Sequence, residues 1–328
     1  MKILGMGNAL VDIITTLEDD TLLETFGLPK GSMTLVDHET SNFINIQTAG
    51  LKKQKASGGS AANTIHGLAH MGVKTGFVGM VGGDDLGKFF FKDMKSKKIS
   101  PMLFKSIRET GRAVALISPD SERTFATYLG AAVELSTEDL DSNIFAGYDY
   151  LYLEGYLVQD HDLIEKAVRL AKMNGMKVCI DLASYNIVEE HRSFFLELIR
   201  NQVDIVFANN QEAEALTGAQ PEQAVEILGG YADIAIVKTG AEGSLIFADG
   251  TLHKIGIRPS KSIDTTGAGD MYASGFLYGL VNGLSLETCG NIGAILSGRV
   301  IEVLGAKMDE STWENIRRQV RAIMENEQ

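Results

Sequence analysis

Asp264-Thr265-Thr266-Gly267-Ala268-Gly269-Asp270 is the stretch on which the reading of this chain turns. A glycine-rich turn there runs directly into the helical pattern Met271–Val281. The first amides of a helix have no partner within it and lie at the positive end of its dipole, so they can hold anionic oxygens. Glycine lets the backbone approach a ligand without interference from Cβ. On this reading the N–H groups of Gly267, Ala268 and Gly269 stabilise a phosphoryl group in transfer, and Asp270 takes the proton of an attacking hydroxyl. The same residues also fit a tight turn and an acid that merely complements the helix dipole.

Working outward, Gly58-Gly59-Ser60-Ala61-Ala62-Asn63 opens a second helical pattern, with Ser60 the expected N-cap. The glycine pair admits a polyol, and Asn63 can donate and accept hydrogen bonds, but taken by itself the segment is better explained as a capped helix after a tight turn. Gly5-Met6-Gly7-Asn8-Ala9-Leu10 lacks the third glycine of a dinucleotide fingerprint, and Asp12 comes too soon to be its ribose acid. Asp12 instead ends the first strand region, where it reads either as an acceptor for vicinal sugar hydroxyls or as a solvated turn residue. Gly82-Gly83-Asp84-Asp85-Leu86-Gly87-Lys88 imitates half a P-loop, but Phe89 replaces the hydroxyl ligand and two acids occupy the cradle. It is read as a strand-to-helix turn. Asn209 and Glu212, three apart after a strand, either organise the waters of Mg2+ or simply cap a helix. Thr239-Gly240-Ala241-Glu242-Gly243 reads as a hairpin turn. The six histidines show no spacing for a structural zinc site.

Short apolar runs alternate with amphipathic ones. Strands are predicted at Lys2–Met6, Thr75–Val81, Tyr150–Leu153, Lys177–Ile180, Asp204–Phe207 and Ile234–Lys238. Helices are predicted at Ala61–Met71, Leu86–Ser96, Asp162–Asn174 and Phe194–Asn201, and helices alone from Ala268 to Glu325. This alternation predicts an α/β fold with a mainly parallel sheet covered on both faces. Segments 11–17, 32–36 and 112–128 break the rhythm and predict a small β-rich lid or an edge hairpin. A net charge of −13 argues against a nucleic-acid surface. No apolar run approaches the roughly 20 residues of a membrane span, and Asp12 follows too early for a signal peptide. Cys179 and Cys289 read as reduced core thiols, which predicts a cytoplasmic protein.

Together, Gly58-Gly59, the Gly79–Gly87 stretch, Asn209-x-x-Glu212 and Asp264–Asp270 resemble, in order, the motifs of the ribokinase-like (PfkB-type) carbohydrate kinases. The resemblance covers nearly the full chain. It implies a single domain over 1–328: a three-layer α/β/α sandwich with a lid, transferring the γ-phosphate of ATP, with Mg2+, to a hydroxyl. Gly5–Ile13, Gly58-Gly59-Ser60 and Arg123 with Tyr128–Ala132 are similar to the adenosine kinase branch; other nucleosides, ribose and fructose remain alternative acceptors. By that resemblance Asp12, with Asn8, Gly58, Gly59 and Asn63, holds the acceptor's ribose; Met33, Thr34 and Leu35 line a base pocket; and Arg123 approaches the phosphates. Asn209, Thr239, Gly240, Gly243 and Thr266 border ATP, Glu212 acts on Mg2+ through water, and Asp264 with Thr266 suggests a K+ site. A monomer and a homodimer both fit the pattern, as does a ligand-binding module without turnover.

Overall fold

The computed structural model describes residues 1–120 and 122–327; residue 121, within the expected lid segment 112–128, lies outside the described residues. Its strands begin with β1 (Lys2–Met6), β2 (Leu10–Thr16), β3 (Met33–Leu35), β4 (Lys53–Gly58), β5 (Lys74–Gly82), β6 (Ser100–Ser106) and β7 (Gly111–Ile117). They continue with β8 (Arg123–Tyr128), β9 (Tyr150–Glu154), β10 (Lys177–Asp181), β11 (Ile205–Asn209), β12 (Ile234–Lys238), β13 (Ser244–Ala248) and β14 (Thr251–Ile255).

The larger sheet has the order β14-β13-β12-β11-β10-β9-β1-β5-β6. It is parallel from β6 to β12, and the two remaining pairings, β12 with β13 and β13 with β14, are antiparallel. Its strands are apolar on both sides because both sides are covered. Val178 and Ile180 enter one core cluster while Cys179 enters the other; Ala235 and Val237 enter the first and Ile236 the second. This period of two, on a sheet buried on both faces, makes an α/β/α sandwich. The chain passes from β1 to β5 on one side and to β9 on the other. A crevice is expected at the carboxyl ends where strand order diverges in this way. The two cysteines are both buried in the second cluster.

The smaller sheet has the order β3-β8-β7-β2-β4. Segments 11–17, 32–36 and 112–128 thus join one β layer, which is more than an edge hairpin. Its fifth strand, β4, was not anticipated: Lys53-Gln54-Lys55-Ala56-Ser57-Gly58 has no apolar alternation. It is held by antiparallel pairing with β2, in a register that sets Leu10 opposite Gly58 and Asp12 opposite Ala56.

Helix Ser60–His70 starts one residue earlier than predicted, and its N-cap is Gly59 at φ 97°, so the N-cap expectation for Ser60 is corrected. The Ser60 hydroxyl is turned elsewhere, as described below. The last helices are Ala268–Val281, Leu286–Val300 and Glu310–Glu327, with breaks around Gly283 and Gly305 as predicted. Among the described residues no helix is long and apolar enough to cross a membrane.

Candidate active site

A cleft of about 540 Å³ opens where the two sheets meet, and Asp270 lies on its wall. Asp270 sits in the first turn of helix Ala268–Val281, whose N-cap Gly267 is left-handed at φ 76°. A side chain at Gly267 would also meet the Ala306 Cβ at 2.6 Å, so sterics and conformation both require glycine there. Ala268 departs from expectation: its N–H donates to the Thr265 carbonyl at 3.1 Å, a turn bond that occupies this amide.

Asp270 is gripped from the other glycine-rich segment. Ser60 Oγ donates to Asp270 Oδ1 at 2.7 Å and Asn63 Nδ2 to Oδ2 at 3.0 Å. Burial pushes the Asp270 carboxyl up to about 6, against those two hydrogen bonds, which favour the ionised form. Asp181 raises it further and Lys238 lowers it.

Asp12 faces the same cleft from β2. Its carboxylate packs on Gly58, where a Cβ would fall 2.2 Å from Asp12 Oδ1. Burial raises Asp12 to about 6, Lys307 opposes that shift and Asp270 adds to it. Gly59 and Asn63 complete this side of the wall, and Ala113 and Phe125 contribute apolar surface from the smaller sheet. Asn8 is buried behind it, donating Nδ2 to Glu154 Oε1 at 3.0 Å. Glu154 also accepts the Ala61 N–H at 2.9 Å, tying β9 to the start of helix Ser60–His70.

Across the cleft stand Asn209, Glu212, Gly240, Gly243 and Thr266. Asn209 and Glu212 form a reciprocal capping box: Asn209 N–H donates to Glu212 Oε2 at 2.7 Å, and Glu212 N–H to Asn209 Oδ1 at 2.9 Å. The capping alternative is therefore present, while both residues still face the cleft. Burial, then Asp181, pushes the Glu212 carboxyl up. Thr239 caps the short turn Gly240–Glu242 between β12 and β13, the hairpin predicted. A further cavity of about 430 Å³ shares Gly240, Gly243 and Ala268 and extends along Ala294, Gly298 and Ile301.

Three expected residues are placed differently. Met33 and Leu35 on β3 are 57% and 61% exposed and do not line the cleft. Arg123, reaching from β8, pairs with Asp264 and donates Nη2 to the Ile263 carbonyl at 2.7 Å. Asp264 also accepts the N–H of Thr266 at 2.8 Å and of Gly305 at 2.6 Å, so both of its oxygens are engaged. No group of three metal-ligating side chains occurs among the described residues.

The structure adds residues that no sequence motif marked. Lys238 ends β12 and pairs with Asp181 at 2.8 Å, both largely buried. A Cβ on Gly269 would stand 3.1 Å from Lys238 Nζ, which puts this ammonium beside the helix start. Lys307 donates to Asn63 Oδ1 at 3.1 Å. The polar ends of otherwise apolar strands, Ile234–Lys238 and Lys177–Asp181, were the signal available for the first pair. Nothing local marked Lys307.

Residues 32–313 match the model of the pfkB family carbohydrate kinases. A 5-dehydro-2-deoxygluconokinase of Bacillus licheniformis is 29% identical over 263 residues, covering 75% of this chain and 81% of that protein. The crystal structure of a probable sugar kinase from Rhizobium etli superposes with a TM-score of 0.86 at 34% identity, covering 97% of this chain and 98% of that one. That of an adenosine kinase from Sinorhizobium meliloti gives 0.86 at 36% identity, covering 97% and 99%. A match over so much of the chain, with the glycine-rich helix start and its carboxylate set in one cleft, means that the chain belongs to the pfkB family of carbohydrate kinases, phosphotransferases that act on a hydroxyl acceptor.

Proposed function

We propose that the acceptor is a nucleoside, adenosine first, and that its 5′-hydroxyl is phosphorylated by ATP to give AMP. The observation that carries this is the apolar contribution of Phe125 and Ala113 to the cleft that holds Asp12, with Met33 in register beside Phe125. A planar base needs such surface, and a bare sugar does not. The likeness to the Sinorhizobium meliloti adenosine kinase supports it.

In this reading Asp12 accepts hydrogen bonds from the ribose hydroxyls, with Gly58 and Gly59 leaving room, Asn63 bordering the sugar and Asn8 buried behind that wall. Phe125 and Ala113 border the base. Asp270 accepts the 5′-hydroxyl proton as the oxygen forms its bond to the γ-phosphorus. The bond from that phosphorus to the bridging oxygen breaks, and its electron pair leaves with ADP. The amides of Gly267 and Gly269, with Lys238 beside them, stabilise the charge on the transferring group. Gly240, Gly243, Thr239 and Thr266 border the nucleotide.

Asn209 and Glu212 fit a hydrated divalent cation, because they present oxygen donors to the cleft and a carboxylate keeps lone pairs beyond two hydrogen bonds. Mg2+ would neutralise charge on the phosphates. Asp264 does not fit a K+ site in this arrangement, since the Arg123 guanidinium already engages it together with two backbone amides.

A sugar or sugar-acid acceptor is the second reading, favoured by the Bacillus licheniformis relative. ADP formation with adenosine, inosine, guanosine, ribose, fructose and 5-dehydro-2-deoxygluconate separates the two. Adenosine should give the highest kcat/KM. Turnover confined to the non-nucleoside acceptors would refute the nucleoside reading.

A further inference from the structure

Asn63 stands between two partners of opposite kind. Lys307 Nζ is 3.1 Å from its Oδ1, and its Nδ2 is 3.0 Å from Asp270 Oδ2. An ammonium can only donate and an ionised carboxylate can only accept, so this pair of neighbours admits one orientation of the amide. Lys307 itself does not line the cleft. It lies in the segment between helices Leu286–Val300 and Glu310–Glu327, just after Gly305 and Ala306, against which Gly267 packs. Burial pulls its ammonium down to about 8, against Asp12, Asp93 and Asp270, which hold the proton on. At neutral pH it is therefore still mostly charged.

We propose that Lys307 is a positioning residue for phosphoryl transfer: by holding Asn63 Oδ1, it delivers the amide NH2 to Asp270 and fixes the direction from which that carboxylate meets the acceptor hydroxyl. Without the ammonium, Asn63 Oδ1 loses its donor, and the amide is held only by its bond to Asp270 and can rotate off the carboxylate to satisfy that oxygen elsewhere. Asp270 then swings away from the geometry in which it can receive the proton, and misplacement on this scale is costly in rate.

This inference rests on Asp270 being the base, and the experiment separates the two claims. Lys307→Met, Asn63→Ala and the double variant are compared with the wild type, using the best acceptor found above, and Asp270→Asn is measured alongside. Lys307→Met should lower kcat by about 10- to 100-fold, with KM for ATP changed by less than about threefold. In the Asn63→Ala background the same change should cost less than about twofold, because its effect passes through the missing amide. Equal losses in both backgrounds, or none in the wild type, would overturn the role of Lys307 while leaving Asp270 in place. Near-normal turnover by Asp270→Asn would remove the base assignment, and the inference with it. Should Lys307→Met fail to fold, as judged by its melting curve, Lys307→Gln serves in the same cycle. Gln keeps a donor for Asn63 and should lose less than tenfold; a loss above 100-fold that persists without Asn63 would again refute the proposal.

Discussion

Asp270 is the sharpest place to perturb the chemistry, and its surroundings set the size of the effect. Burial raises its carboxyl from the ordinary aspartate value of 3.8 to about 6, with Ser60 and Asn63 pulling the other way. A base of that pKa is roughly 91% ionised at pH 7 and roughly 9% at pH 5, so kcat should fall about tenfold between them. An unshifted aspartate would lose only about a twentieth over the same range. Measuring kcat at saturating acceptor keeps Asp12, which is also raised to about 6, out of the profile under the proposal that Asp12 acts on acceptor binding. Initial rates of ADP formation from pH 5 to 8, followed by chromatography, give the curve directly. Ser60→Ala removes a bond that favours the ionised form, so the acid limb should move to higher pH. Asp270→Asn should lower kcat by about 10²–10⁴ and abolish the limb. A flat profile in the wild type, or an Asn variant within tenfold of it, would refute the argument.

The same shift has a consequence for stability. The folded-state pKa of Asp270 lies above the unfolded one, so the fold favours the protonated form; the penalty for ionisation is absent below about pH 4 and complete above about pH 6. Asp270→Asn should therefore melt higher than the wild type at pH 8 and no higher at pH 4, by differential scanning calorimetry. Lys238→Met leaves the Asp181 carboxylate largely buried without its ion pair, and should destabilise by about 3 kcal/mol in urea unfolding; adding Asp181→Asn should recover most of the loss. Asp12→Asn keeps the shape but weakens hydrogen bonds from sugar hydroxyls, so KM for the acceptor should rise about tenfold while KM for ATP stays constant in steady-state kinetics.

The larger sheet was legible because its strands announce themselves twice, as short β-branched runs and by the helices between them. Lys2–Met6 and Ile234–Lys238 match their predicted bounds to the residue. The smaller sheet was only half legible. Strand β4 is polar along most of its length and exists through its pairing with β2, a tertiary cause that no local pattern reports. The Asp12 side of the cleft was visible as glycines and isolated polar residues, because close backbone approach demands those residue types locally. Ser60 was visible but misread. Its place after a turn suggested a cap, whereas Gly59 supplies the cap conformation and frees the hydroxyl for Asp270, some 210 residues away. Lys238 and Lys307 stayed hidden for a related reason: a lysine's role depends on which carboxylates the fold brings to it, and these carboxylates come from other strands and helices.

Those carboxylates also explain how so acidic a chain can take up a triphosphate. Asp12, Asp181, Glu212 and Asp270 face one cleft, with Lys238 among the same lining residues. Four negative groups against one positive leave the empty site a poor host for a further polyanion. The protein lessens this conflict in two ways. Burial raises Asp12, Glu212 and Asp270, so part of their charge is withheld near neutral pH. The neutral backbone amides at the helix start attract phosphate without adding a counter-charge that would later have to be removed. What remains is an electrostatic deficit that favours a nucleotide carrying its own divalent cation over the bare one. On the proposed reading, the carboxylates that repel naked ATP would thus be the groups that make its metal complex the better substrate.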